Sequence, residues 1–63
     1  MNQSQFTTDW NNSTNVVKKI KGATGEYFLA DSYIFTSLTT ITFKRAGLEL
    51  VEGYSIPSIV SVI

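Results

Sequence analysis

Asp9, Glu26, Asp31, Glu49 and Glu52 are the five carboxylates of a 63-residue chain that has no His and no Cys. The usual general base and the usual thiol nucleophile are therefore missing, and proton transfer would fall to the acids. Glu26 and Asp31 are close enough in sequence to meet across a turn, and so are Glu49 and Glu52. A hydrolase built on two carboxylates needs a cleft that holds them at a set separation. A calcium site needs clustered oxygen ligands in a loop of defined spacing. Sixty-three residues leave little room for such a cleft, and "ELVE" follows no such loop pattern. The five acids read as solvated loop charges, and the chain as a non-enzyme. Without His or Cys the common zinc ligands are absent as well, so no metal or cofactor is expected.

"GATGE", with Gly22 and Gly25, lacks the further glycines and the Lys-Ser/Thr pair of a phosphate-cradling loop, and reads as a turn. Before it, "VVKKIK" clusters Lys18, Lys19 and Lys21. These lysines could meet phosphate or an acidic partner. Lysine on an exposed strand edge also discourages unwanted pairing, and a solvated edge is the simpler role. Tyr27, Phe28, Tyr33, Phe35 and Tyr54 could in principle stack nucleic-acid bases. Five basic residues balanced by five acidic ones give no bulk attraction to phosphate or to an anionic membrane. The aromatics also alternate as core residues do. The balance argues against nucleic acid.

The elements that must position these residues are small. A chain of this length buries only about 60% of the surface its unfolded form exposes, and usually needs a disulfide, a metal or a partner chain. With the first two excluded by composition, association with other copies is the expected support. Residues 1 to 15 are nearly all Asn, Gln, Ser and Thr, which favour turns or coil over helix interior. They are expected to form an extended polar arm, with Phe6 and Trp10 as anchors on another surface, because both rings are costly to leave in water. The overlapping N-x-[ST] patterns at Asn11 and Asn12 are what chance produces in such a stretch. The arm has neither the basic start nor the apolar run of a secretory signal, and no segment approaches the ~20 apolar residues of a spanning helix. A soluble, unexported protein with no membrane partner is expected.

Residues 16 to 63 read as one β domain. "EYFLADSYIFTSLTTITFKRAG" is dense in aromatic, β-branched and Thr residues. Tyr27 and Leu29 share one face of a strand that "ADS" breaks. Tyr33, Phe35, Ile41 and Phe43 fall on one parity with Leu38 on the other, which predicts a bulge or a short turn near Ser37 to Thr39. Thr36, Thr39, Thr40 and Thr42 would line a hydroxyl face. The chain turns at Gly47, and "VEG" predicts another turn at Gly53. No helix of ten residues is expected. The expected fold is all-β: a small sandwich or barrel-like domain of about five short antiparallel strands with an extended N-terminal arm.

The last residues, "GYSIPSIVSVI", carry no charge after Glu52. Pro57 cannot donate to a ladder, so the final strand should lie at an edge or break there. Its apolar residues fall on both faces and ask for more cover than so short a chain supplies. Ile59, Val60, Val62 and Ile63 are therefore expected to join Phe6 and Trp10 in contacts with a neighbour, although an ordinary core strand would explain the tail equally well.

The stretch "GEYFLADSYIFTSLTTITFKRAGLELVEGYSIPS", roughly residues 25 to 58, resembles the small head-decoration, tail and fibre-base proteins of bacteriophage particles. The resemblance lies in a Tyr- and Thr-rich strand pair, then Leu48, Leu50 and Gly53, then a strand through Tyr54 and Ile56. It implies a virion structural role as a trimer or higher homo-oligomer in contact with other virion proteins, with no active site. The protein would reside in the particle, and in the host cytoplasm before assembly. The alternative is a small binding module of phage or bacterial origin that docks on a host protein or nucleic acid.

Overall fold

A computed structural model describes all 63 residues. Its first element corrects the extended arm. Gln3–Asn12 form a helix, α1, of 10 residues. Few of these residues are strong helix formers, and the helix is held at its ends instead. The Asn2 side chain accepts from the Gln5 N–H at 2.8 Å, and the Gln5 side chain accepts from the Asn2 N–H at 2.9 Å. This reciprocal capping box satisfies two donors that a helix start otherwise leaves open. At the other end the Ser13 N–H donates to the Asp9 and Trp10 carbonyls. Phe6 and Trp10, four residues apart, then share one face. Phe6 is fully buried.

The β body is as expected in class, with one strand more. β1 (Lys18–Gly22), β2 (Tyr27–Ala30), β3 (Ser32–Phe35), β4 (Thr40–Arg45), β5 (Leu48–Ser55) and β6 (Ile59–Val62) form two antiparallel sheets, ordered β2-β1-β6 and β3-β4-β5. Only Asp31 separates β2 from β3, so a single run of chain turns the corner between the sheets. The parity slip near Ser37 is a turn between β3 and β4, closed by the Thr36 N–H onto the Thr40 carbonyl at 3.0 Å. The threonine hydroxyls meet there, Thr36 to Thr40 at 2.8 Å.

One expected turn differs, and the expected break at Pro57 takes the form of a 3-10 turn. β5 runs unbroken through Gly53, whose φ of 66° is absorbed within a ladder that shifts register twice against β4. The Gly53 N–H is satisfied sideways by the Thr42 hydroxyl at 3.2 Å, so "VEG" bends a strand and does not end it. Pro57 lies outside any strand, in a 3-10 turn over Ile56–Ser58. There its missing N–H costs nothing, because the first donors of a turn have no internal partner.

Phe6, Ile20, Ala30, Ile41, Phe43, Ile56, Ile59 and Val62 make one core that both sheets and α1 share. Tyr33, Phe35 and Trp10 close its rim around Phe6. The accessible surface is 3876 Å², close to the roughly 4,000 Å² that surface scaling gives a folded monomer of this mass. The helix supplies what a bare β body of this size lacks, a lid of aromatic surface.

Candidate functional site

The acidic residues do structural work and do not converge. No group of three or more carboxylates comes together. Glu26 accepts from the Tyr54 hydroxyl at 2.9 Å and also from Thr24. Gly22 leaves the room for this contact, since a Cβ there would collide with the Glu26 carboxylate and the Tyr54 oxygen. Burial, and then the Glu26 contact, push the Tyr54 phenol above its ordinary 10.0. Asp31 accepts from the Ala46 N–H at 2.9 Å and from the Ser32 hydroxyl at 3.1 Å. The Ala46 bond in particular holds the Asp31 carboxyl below 3.8, against a smaller opposing effect of desolvation. Ala46 needs that support, for it carries a positive φ of 53° beside Gly47 in the β4–β5 turn. Glu49 lies across the ladder from Lys44. Glu26 and Asp31 are thus engaged separately.

The lysine cluster divides in the same way. Lys18 is buried to 9% exposure, donates to the Ser13 and Asn15 carbonyls, and lies 5.2 Å from the Trp10 ring centroid. It pins the link between α1 and β1. Lys19 and Lys21 alternate to the outer face of β1, where the Lys19 ammonium sits 4.4 Å above the Tyr27 ring. The other candidate base-stacking rings, Phe28, Tyr33, Phe35 and Tyr54, pack against the core.

Of the residues expected at a neighbour's surface, Phe6, Ile59 and Val62 come together in this chain's own core. Trp10 is half-buried, with its ring 4.7 Å from Tyr33 and 5.8 Å from Phe6. Val60 and Ile63 remain outside, 59% and 61% exposed. They flank an open edge. β6 is the outer strand of its sheet, and Ile63 and Lys19 exchange both backbone bonds, at 2.7 and 3.0 Å. By antiparallel alternation Val62 turns its peptide groups away from β1, and Val60 sits in a bulge where the ladder steps from Lys21–Ser61 to Gly22–Ile59. The adjoining groove of about 590 Å³ runs between β6 and α1 and is lined by Ser4, Thr8, Asp9 and Val60 among others. The Met1 amino group closes one end by donating to the Ile59 carbonyl at 3.2 Å.

The second open edge belongs to β5, the outer strand of the other sheet. Leu48 is 73% exposed there and Leu50 is 45% exposed. Sequence reasoning did not single out this pair, because Leu-Glu-Leu alternation marks a strand without showing which of its faces is covered. The structure supplies the reason: a bulge at Leu50 sets Val51 opposite the buried Phe43.

Comparison with family models, curated proteins and solved structures finds no match to the chain. No helix is long and apolar enough to cross a membrane. What the molecule can do is therefore argued from its edges.

Proposed function

We propose that this chain is a structural subunit of a bacteriophage particle, a decoration or cement protein that holds neighbours together. The observation that carries the proposal is that two of the outer strands, β5 and β6, present open edges beside exposed aliphatic side chains. β5 offers one edge beside Leu48 and Leu50, and β6 offers another beside Val60 and Ile63. An unpaired edge is a template for another strand, and apolar residues beside it add buried area once pairing occurs. The two edges are different surfaces, so pairing one with the other is head-to-tail, which gives a ring of three or more copies where the rotation closes and a filament where it does not. The same contacts reach other particle proteins. The phage setting is supported by the resemblance of residues 25 to 58, and a mechanical role by carboxylates engaged in separate structural bonds. The protein would be made in the host cytoplasm and end in the virion.

Quantitative mass spectrometry of purified particles tests the proposal. Many copies per particle, in a fixed ratio to the major capsid or tail protein, are expected. Recovery of the chain from infected-cell lysate alone would overturn it.

A further inference from the structure

A third open edge lies apart from β5's outer side and β6. β2 bonds to β1 through alternate residues only. The Gly22 N–H donates to the Glu26 carbonyl at 2.8 Å, while Lys19, which stands opposite Leu29, gives both its peptide groups to Ile63. Tyr27 and Leu29 therefore turn their N–H and C=O groups away from β1. On that side the chain beyond the corner is β3, and its partner β4 stops at Arg45. The result is a groove of about 410 Å³ lined by Tyr27, Phe28, Leu29, Arg45, Leu50 and Val51. The Asp31 carboxylate, bonded to the Ala46 N–H at 2.9 Å, ties the β4–β5 turn to the corner and fixes one end of the groove.

We infer that this groove is a strand-addition site for an extended segment of a partner protein in which aliphatic and acidic residues alternate. Its floor is a peptide edge open to water, and an added strand can replace that water with backbone hydrogen bonds in register. Its walls are aliphatic and aromatic at Leu29, Leu50, Val51 and Phe28, which suits every second side chain of an incoming strand. Its lining carries one formal charge, Arg45, which also acts on the Asp31 carboxylate at the groove's end, and Lys19 and Lys21 add positive charge on the outer face of the adjoining β1. A segment whose outward residues are Glu or Asp meets those cations. Nucleic acid fits less well, because the Lys19 ammonium covers one face of the exposed ring that would stack a base, Tyr27. The chain's own matching segment, Leu48 to Glu52, is committed to β5 and already forms one wall. The inference deepens the structural-subunit reading by giving it a surface for a second protein, and it rests on that reading for the partner's origin.

The test uses the full chain and three probes: a capped hexapeptide of alternating Val and Glu, the same peptide with Lys for Glu, and oligothymidine. Amide NMR shifts and calorimetry report binding, and light scattering reports the mass of the same samples. The Val/Glu peptide should bind, with its largest shifts at Tyr27, Leu29 and Leu50, and the Lys peptide should not. Arg45→Glu should weaken binding about tenfold, as should Lys19→Glu combined with Lys21→Glu, and added salt should weaken it further. Both substitutions are on exposed side chains, and an unchanged amide spectrum without peptide verifies that the variants remain folded. No binding, equal binding of both peptides, shifts confined to β6, or binding of oligothymidine alone would each overturn the inference. Self-association is read separately from the mass, so an empty groove and a failed assembly are distinguishable.

Discussion

Phe6 is the residue on which the fold most depends. Its ring lies 4.9 Å from Tyr33 in an edge-on contact and 5.9 Å from Phe43, and it joins the helix to both strands of the β3–β4 hairpin. Phe6→Ala should destabilise the protein by about 3–5 kcal/mol, the range for removing a buried aromatic ring. Urea denaturation checks this, and a loss below about 1 kcal/mol would show that α1 is only laid on the surface. Asp31 makes a prediction in pH. Its folded pKa lies below its unfolded value, so its contribution is fully present above about pH 4 and is lost as the pH falls through the depressed value. Wild-type stability should therefore decline on acidification below pH 4 more steeply than that of Asp31→Asn. Parallel slopes in acid-series thermal melts would contradict the assigned role of the Ala46 bond.

At the scale of elements, α1 exists because of its ends and one face. Asn2→Ala removes the capping-box acceptor and should cost about 1 kcal/mol, read as a lowered melting temperature with the β signal retained. An unchanged melt would mean that Phe6 alone holds the helix. The same element shows where reading the sequence fell short. Ten residues of which eight are Gln, Ser, Thr, Asn or Asp look like coil when counted by propensity. The two features that decide the matter are positional: Asn2 and Gln5 at capping spacing, and Phe6 and Trp10 at helical spacing. The strands were legible because Tyr33, Phe35, Ile41 and Phe43 alternate on one parity, and all four pack in or against the core. The ends of β5 were less so. Gly53 was read as a turn because glycine favours positive φ, yet a bulge uses that same freedom without ending the strand. Pro57 did mark the break before the last strand, although as the start of a 3-10 turn.

At the scale of the whole molecule, the question is what a well-closed 63-residue chain leaves open. Its core is complete: Phe6 comes from the helix, and Ile59 and Val62 come from the final strand. The tail that looked to need a neighbour on both faces is covered on one by its own chain, and the candidate contact surface shrinks to Val60, Ile63 and the β6 edge. That surface and the β5 edge together form the basis of the assembly account. The most direct test is the mass of the native protein at micromolar concentration, by native mass spectrometry or light scattering, compared with Val60→Lys. A lysine at an open edge opposes pairing without disturbing the buried face of β6. The account predicts a discrete species of at least three 7.0 kDa chains for the wild type, and folded single chains for Val60→Lys that melt lower than the assembled wild type because the stabilisation by association is lost. A wild-type mass of one chain across that concentration range would contradict it.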